Sequence, residues 1–238
     1  GSRRYPVVYE VPWSYDNWVR AIGIGGMLDQ LISSGRIPPL IMVFAAHYGA
    51  PMPDTECVDS HDGRQWLETY FTKTVVGYVD SNFRTIVSPA ARAIFGYSEG
   101  AYCASMLALR HPDVFSAAIS MSGYFQAAIR TPVTVNAPLP FGGDQQAIVE
   151  HSPLHLASTL SGAQRDSMFF VLSADPREWL YGPQYEAMAA VLQKEHYHYL
   201  LLSTQLGHAW QATRVTLPPA LQAVAGRWVT TGVFAGQS

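Results

Sequence analysis

The chain alternates short apolar runs with longer stretches of helical periodicity. Strand-like runs occupy residues 7–11, 40–45, 91–95, 117–121, 168–173 and 197–203. Helical patterns occupy residues 18–33, 65–79, 101–110, 183–194 and 217–229. Strands that alternate with helices are typical of a parallel sheet with helices packed on both faces. The run at 40–45 is apolar throughout, as a strand buried on both faces requires. The pattern predicts an α/β fold with a mostly parallel central sheet.

The pattern also predicts the domain organisation. A chain of 238 residues is long enough for one sizeable domain, and we expect residues 1–238 to form it. Residues 124–165 are irregular and contain several prolines and glycines, so we interpret them as a lid-like excursion on the substrate side. The opening Gly1-Ser2 resembles a cloning remnant, which suggests a domain excised from a longer protein.

Composition narrows the class of protein. Hydrophobic residues make up 48% of the chain and charged residues 14%, which excludes a disordered chain. The net charge is −3, and no stripe of basic residues that could neutralise phosphates occurs in the sequence. We therefore expect no nucleic-acid partner. No apolar run reaches the roughly 18 residues that a spanning helix needs. Membrane proximity through segments absent from this sequence is left open.

The clearest chemical signal is the G-x-S-x-G motif of Gly96-Tyr97-Ser98-Glu99-Gly100, which lies between a predicted strand and a predicted helix. A serine on such a sharp turn has an exposed hydroxyl, and the glycines avoid collisions between strand and helix. The backbone N–H of Glu99 would lie at the helix N-terminus, where it can stabilise an oxyanion. The motif predicts a nucleophile elbow with Ser98 as nucleophile.

A serine nucleophile needs a base and an acid, and in α/β-hydrolases they follow the serine in the order acid, then histidine. His208 follows the last predicted strand and comes directly after Gly207, so it is the predicted base. Asp175 and Glu178 both follow the strand at 168–173. Asp175 precedes a proline and could cap the next turn, whereas the longer Glu178 could reach the histidine. At this point both remain candidates.

These residues resemble one family. The segments 95–100 and 107–115, followed by Gly207-His208-Ala209-Trp210, are similar to the nucleophile and histidine motifs of an esterase branch of the α/β-hydrolases. That branch includes esterase D, feruloyl esterases, enterobactin-type esterases and mycolyltransferases. The resemblance covers most of the chain and includes its opening strand. In enterobactin-type esterases the acid comes three residues after a glycine that aligns with Asp175, which implies Glu178 as the acid.

The resemblance implies a serine esterase that acts on a small-molecule or lipid ester through an acyl-enzyme. The implied triad is Ser98, Glu178 and His208, with no cofactor and no metal. Resemblance to mycolyltransferases keeps an acyltransferase of the cell envelope as an alternative. From another class, the chain could be a non-catalytic binding domain with a hydrolase fold.

The sequence departs from the family at two places. The family usually has His-Gly after its first strand, and the loop there provides the second oxyanion N–H. Here the stretch is Val11-Pro12-Trp13-Ser14. Because Pro12 has no N–H, the implied donor is Trp13 or Ser14. The second departure is Ala101, where the family commonly has another glycine.

Cys57 and Cys103 are the only cysteines, and they are either two buried thiols or a disulfide. Both are expected near the active-site edge, and some exported members of the family carry cysteines in similar contexts. A disulfide would fit an extracytoplasmic or cell-envelope location, with the cytoplasm as the alternative.

An acidic segment and a set of aromatic residues are the remaining features of the sequence that could belong to a site. The acidic residues and histidine of segment 54–62 match no metal-ligand spacing, so we expect a solvated loop. Several aromatic residues fall in loops at expected strand ends and could line an acyl or aromatic pocket, or pack in the core: Trp13, Tyr15, Trp18, Trp66, Trp179, Tyr181 and Trp210.

Overall fold

The computed structural model describes residues 3–11, 17–45, 54–129 and 136–235. Its centre is a six-stranded sheet in the order β2-β1-β3-β4-β5-β6. The strands are β1 Val7–Glu10, β2 Ile41–Phe44, β3 Arg92–Tyr97, β4 Ala117–Met121, β5 Phe169–Ala174 and β6 His198–Ser203. All neighbouring pairs are parallel, with β3 Gly96 opposite β4 Ser120. The predicted α/β architecture is confirmed.

Helices cover both faces of the sheet. The α-helices are α1 Ile24–Ser33, α2 Leu67–Thr69, α3 Val76–Asn82, α4 Glu99–Arg110, α5 Gln145–Glu150, α6 Pro153–Leu156, α7 Gly162–Ser167, α8 Tyr181–Lys194 and α9 Trp210–Thr230. The π-helical segments are Asn17–Ile22 and Tyr70–Val75, and the 3-10 turns are Pro89–Ala91 and Leu139–Phe141. Among the described residues, no helix is both long and apolar enough to cross a membrane.

The core consists of two hydrophobic clusters, one on each face of the sheet. Successive strand residues point to opposite faces, so Ile94 belongs to the cluster that contains α4 and α8 residues. Its neighbour Phe95 belongs to the cluster that contains α1 and α9 residues. Burial on both faces explains why the central strands are apolar at nearly every position.

The last helix begins earlier than the sequence suggested. It runs from Trp210 and contains Pro218 and Pro219, whereas the sequence pattern predicted a start at residue 217. Each proline lacks one N–H and therefore leaves the carbonyl four residues earlier without its helical donor. Those carbonyls belong to Arg214 and Val215, which lie on the exposed face of the helix, where water can donate to them. The prolines therefore do not end the helix.

The described part of segment 124–165 is packed against the domain. It contains a 3-10 turn, α5 and α6, and the buried residues Phe141, Leu156 and Ala157 belong to the main core cluster. The Tyr102 hydroxyl of α4 donates a 3.1 Å hydrogen bond to the carbonyl of His151. The segment is thus attached to the helix that follows Ser98, and its role as a lid remains a prediction.

Candidate active site

Ser98 lies on a sharp turn between β3 and α4, as predicted. Its backbone has φ 60° and ψ −122°, a conformation that costs energy for any residue with a side chain. A Cβ added at Gly96 would lie 2.2 Å from the carbonyl oxygen of Gly100, so the turn requires a glycine there. The Ser98 N–H donates a 2.9 Å hydrogen bond to Met121, the last residue of β4. Sheet and helix together hold the serine in this strained position.

The alanine at position 101 is accommodated by a glycine elsewhere in the sequence. A Cβ added at Gly123 would lie 2.4 Å from the Cβ of Ala101 and 3.0 Å from the carbonyl oxygen of Ser98. Gly123 follows β4 and leaves room for the methyl group of Ala101. The family's extra glycine is therefore not needed for close packing at this turn.

The Glu99 N–H is the predicted oxyanion donor, while its side chain anchors another loop. Its N–H lies in the first turn of α4, as an oxyanion donor requires. Its carboxylate accepts hydrogen bonds from the Thr55 N–H at 3.1 Å, the Thr55 hydroxyl at 3.0 Å and the Glu56 N–H at 3.0 Å. Burial raises the pKa of Glu99. The sequence motif did not reveal this anchoring role.

The prediction of a solvated loop at 54–62 is wrong for its central residues. Thr55, Glu56 and Cys57 are buried. Glu56 accepts hydrogen bonds from the Tyr124 hydroxyl at 2.6 Å and the Ala128 N–H at 3.0 Å. Burial raises the pKa of Glu56 to about 8, so its carboxyl group is mostly protonated at neutral pH. Acidic residues looked solvated in the sequence because their partners lie in distant segments. No cluster of potential metal ligands occurs among the described residues.

Cys57 and Cys103 form a disulfide, which settles the alternative left open by the sequence. Their Cα atoms are 5.7 Å apart. The bond joins the buried loop to α4, the helix that begins directly after Ser98. Glu56 and Cys57 both have positive φ values, 49° and 52°. Positive φ is unfavourable for a residue with a side chain, and here two such residues are adjacent. The disulfide and the hydrogen bonds to the Glu99 carboxylate therefore hold the loop in a conformation that it would not keep alone.

His208 follows β6 and lies between two tyrosine rings. The centroid of its imidazole is 4.6 Å from that of Tyr97, with 20° between the planes, and 4.0 Å from that of Tyr181, with 13°. Nδ1 is buried and has no hydrogen-bond partner within the described part of the chain. Burial lowers the pKa of His208 to about 4, against the opposing effect of the Glu178 charge. The imidazole is therefore neutral at pH 7, as a general base must be.

The two acid candidates have different surroundings. The Asp175 carboxylate contacts the Arg177 side chain at 2.9 and 3.0 Å and accepts the Gly207 N–H at 3.0 Å. Hydrogen bonds from the Arg177 side chain, and then from the backbone, hold the pKa of Asp175 well below its usual range. Glu178 accepts the N–H groups of Leu180 and Tyr181 at the start of α8, at 3.1 and 3.4 Å. Of the two, Glu178 is the one whose charge acts on His208.

The sheet brings the predicted residues to one edge, since Ser98 follows β3, Glu178 follows β5 and His208 follows β6. No direct hydrogen bond joins these three side chains within the described regions. Trp13 and Ser14, the predicted second oxyanion donors, lie outside the described residues.

Sequence reasoning missed Tyr97 as a neighbour of the imidazole, and it named Tyr181 only among the aromatic residues that could line a pocket or pack in the core. Tyr97 occupies the x position of the motif, and Tyr181 begins α8. The Ser98 hydroxyl is close enough to Tyr181 to lower the pKa of its phenol. Among the other aromatic residues noted in the sequence, Trp210 packs on Tyr97, with 4.6 Å between ring centroids, and Trp18 packs on Trp210 at 5.4 Å. Trp66 and Trp179 are exposed. The signal available in advance was the position of Tyr97 and Tyr181 at strand and helix ends beside the catalytic motifs.

Comparison with known proteins shows the family of this chain. The model of the Esterase family, described as “Putative esterase”, matches residues 1–223. The chain belongs to this esterase family. An “Endo-1,4-beta-xylanase/feruloyl esterase” of Xylanibacter ruminicola is 28% identical over 150 residues, which are 61% of this chain and 20% of that protein. The chain thus aligns with about a fifth of that relative's length.

Solved structures share the fold of this chain. A ferulic acid esterase is 20% identical, with a TM-score of 0.77 over 94% of this chain and 86% of that one. An S-formylglutathione hydrolase from Agrobacterium tumefaciens is 16% identical, with a TM-score of 0.74 over 94% and 85%. The enterobactin esterase FES from Shigella flexneri is 18% identical, with a TM-score of 0.70 over 95% and 53%. At these identities the likeness concerns the fold.

Proposed function

We propose that this protein is a serine esterase that hydrolyses a carboxylic ester through an acyl-enzyme. The observation that carries the proposal is the strained backbone of Ser98, with φ 60° and ψ −122°, at the same sheet edge as His208. Strain at a turn persists only where the surrounding structure imposes it, and it is typical of functional sites.

The proposed reaction has two steps. The Ser98 Oγ attacks the acyl carbon while His208 takes its proton, and the imidazolium then gives that proton to the departing alcohol. In the second step His208 takes a proton from water, the hydroxide oxygen attacks the acyl carbon, and the proton returns to Ser98 as the acid leaves. The Glu99 N–H stabilises the oxyanion in both steps.

Glu178 is the proposed acid of the triad. Its negative charge favours the imidazolium form of His208. His208 takes this form each time it accepts a proton, first from Ser98 and then from water. Hydrogen bonds between catalytic groups are often long or misaligned before substrate binds and tighten in the complex. We therefore expect the bonds that link Ser98, His208 and Glu178 to form when the ester occupies the site.

The proposed substrate is a small-molecule ester, and esters of aromatic acids are the first class to test. The names of two of the proteins reported above contain ferulic acid or feruloyl esterase. Aromatic side chains also surround the reactive edge, where Tyr97 and Tyr181 stack on His208 and Trp210 packs on Tyr97. Such side chains can pack against an aromatic acyl group.

An extracytoplasmic location is the proposed site of action. Disulfides form and persist in oxidising compartments and are rare in the cytosol of mesophiles. The bond between Cys57 and Cys103 is buried and joins two parts of the core, as a structural disulfide does.

The decisive experiment combines covalent labelling with the Ser98→Ala variant. A fluorophosphonate probe should label the parent protein at Ser98 and leave the variant unlabelled. Hydrolysis of p-nitrophenyl acetate and methyl ferulate should fall by about a thousandfold or more in the variant. Ser116→Ala, at the opposite end of the sheet, is the matched control and should retain activity and labelling.

Three outcomes separate the alternatives. Absence of labelling and turnover in the parent protein would indicate a binding module rather than an enzyme. Formation of a new ester, at the expense of free acid, when an alcohol acceptor is added would indicate an acyltransferase. Near-normal activity in Ser98→Ala would show that the proposed mechanism is wrong.

A further inference from the structure

We propose that the Tyr181 hydroxyl is a catalytic hydrogen-bond donor to the oxygen that becomes negatively charged when Ser98 attacks the ester. The inference rests on the proposed esterase function and adds to it a side-chain component of the oxyanion hole. It concerns a residue outside the serine, acid and histidine motifs.

The ring of Tyr181 is held firmly in the site. It is the first residue of α8 and is 6% exposed. Its ring stacks on His208, with a centroid distance of 4.0 Å and 13° between the planes. Tyr97 covers the other face of the imidazole at 4.6 Å, so Tyr181 cannot turn away without breaking a packed aromatic column. A donor fixed in this way needs little reorganisation during the reaction.

The hydroxyl of Tyr181 lies beside the reacting atom. Tyr181 stacks on His208 at the sheet edge where Ser98 follows β3, and the Ser98 hydroxyl is close enough to lower the pKa of Tyr181. When the Ser98 oxygen bonds to the acyl carbon, the oxyanion forms on that same carbon. A donor beside the serine oxygen is therefore close to the oxyanion as well. Before substrate arrives the Tyr181 hydroxyl interacts with Ser98, and afterwards it can donate to the oxyanion.

Tyr181 remains a neutral donor throughout the reaction. The pKa of Tyr181 is raised, mainly by burial. The Ser98 hydroxyl lowers this pKa by a smaller amount, and the negative charge of Glu178 raises it further. The phenol therefore keeps its proton at neutral pH. The proposed role needs no proton transfer from Tyr181, because its O–H bond stays intact and the hydrogen bond strengthens as negative charge develops.

The site has a reason to use a side-chain donor. The Glu99 N–H, at the start of α4, provides one oxyanion donor. The loop after β1 usually provides the second donor in the related esterases. Here it begins Val11-Pro12, and because proline has no N–H, the donor from this loop would have to be Trp13 or Ser14. A tyrosine hydroxyl that enters from α8 supplies a donor that does not depend on that loop.

The test is Tyr181→Phe, which removes the hydroxyl and retains the ring that stacks on His208. With p-nitrophenyl acetate, we expect kcat to fall about a hundredfold while KM changes by less than about threefold. Phenylboronic acid forms a tetrahedral adduct with a catalytic serine, so its inhibition constant should rise by a similar factor. Tyr185→Phe removes a hydroxyl one turn further along α8 and should leave both values unchanged. Circular dichroism and the melting temperature verify that each variant is folded.

The outcomes distinguish this inference from the proposed function. If Ser98→Ala is inactive and folded Tyr181→Phe has kcat within about threefold of the parent, or higher, Tyr181 is not the donor. A loss of kcat without weaker boronate binding would equally overturn the inference. If Ser98→Ala remains active, the esterase mechanism itself fails, whatever Tyr181→Phe does.

Discussion

The backbone N–H of Gly207 donates a 3.0 Å hydrogen bond to the Asp175 carboxylate. This bond joins the loop after β5 to the residue directly before His208. Arg177, two residues along the same loop, also contacts that carboxylate and helps to hold it in place. Its side chain acts on the backbone of the histidine loop, whereas the charge of Glu178 acts on the imidazole itself.

This difference predicts the outcome of neutralising each acid. We expect Glu178→Gln to lower kcat/KM by about a hundredfold or more, since it removes the charge that stabilises the imidazolium. Asp175→Asn keeps an oxygen that can accept the Gly207 N–H, so its loss should be much smaller. Steady-state kinetics of both variants on the same ester provides the measurement, and the reverse order of the two losses would assign the acid role to Asp175.

Glu56 predicts how stability depends on pH. The folded-state pKa is about 8, above the unfolded value of 4.5, so the folded protein retains a proton that the unfolded chain loses between these values. The stabilisation linked to this proton is complete below about pH 4.5 and is lost as pH rises through about 8. Denaturant unfolding between pH 5 and 8 should therefore show a decline that is smaller in Glu56→Gln, whose amide does not titrate.

Glu186→Gln is the matched control for Glu56, because it makes the same chemical change at an exposed position. It should follow the parent protein across the whole pH range. An equal decline in Glu56→Gln and in the parent would show that Glu56 is ionised in the folded protein at neutral pH.

The disulfide predicts a large effect of reduction on stability. Cys57 and Cys103 are 46 residues apart, and closing a loop of that size stabilises a fold by about 4 kcal/mol in the chain-entropy model. Reduction should therefore lower the melting temperature by about 10 °C for a domain of this size. Differential scanning calorimetry with and without reductant measures the change, and mass spectrometry after alkylation verifies that both thiols are free.

A double variant, Cys57→Ser with Cys103→Ser, separates the disulfide from other effects of the reductant. It should melt near the temperature of the reduced parent and respond no further to reductant. A fully reduced parent that melts at the same temperature as the oxidised protein would refute the predicted stabilisation.

The sequence by itself determined the features that depend on local backbone requirements. The turn at Ser98 was predictable because Gly96 leaves no room for a Cβ beside Gly100, and that constraint spans five consecutive residues. The order of strands and helices was predictable from periodicity, and parallel strands place their carboxyl ends at one edge. That edge contains both Ser98 and His208. Chain order then selected His208 as the candidate base.

Only the tertiary structure decided the features that depend on contacts between distant segments. Glu99 binds the backbone of Thr55, 44 positions away, and Tyr124 donates to Glu56 across 68 positions. A carboxylate that has charged neighbours in the sequence is predicted to be exposed to solvent. Whether it is buried depends on which distant segment the fold packs over it and hydrogen-bonds to it. The same holds for the ring of Tyr181 on His208. Sequence patterns report which face of an element is apolar, while packing alone determines which side chains meet.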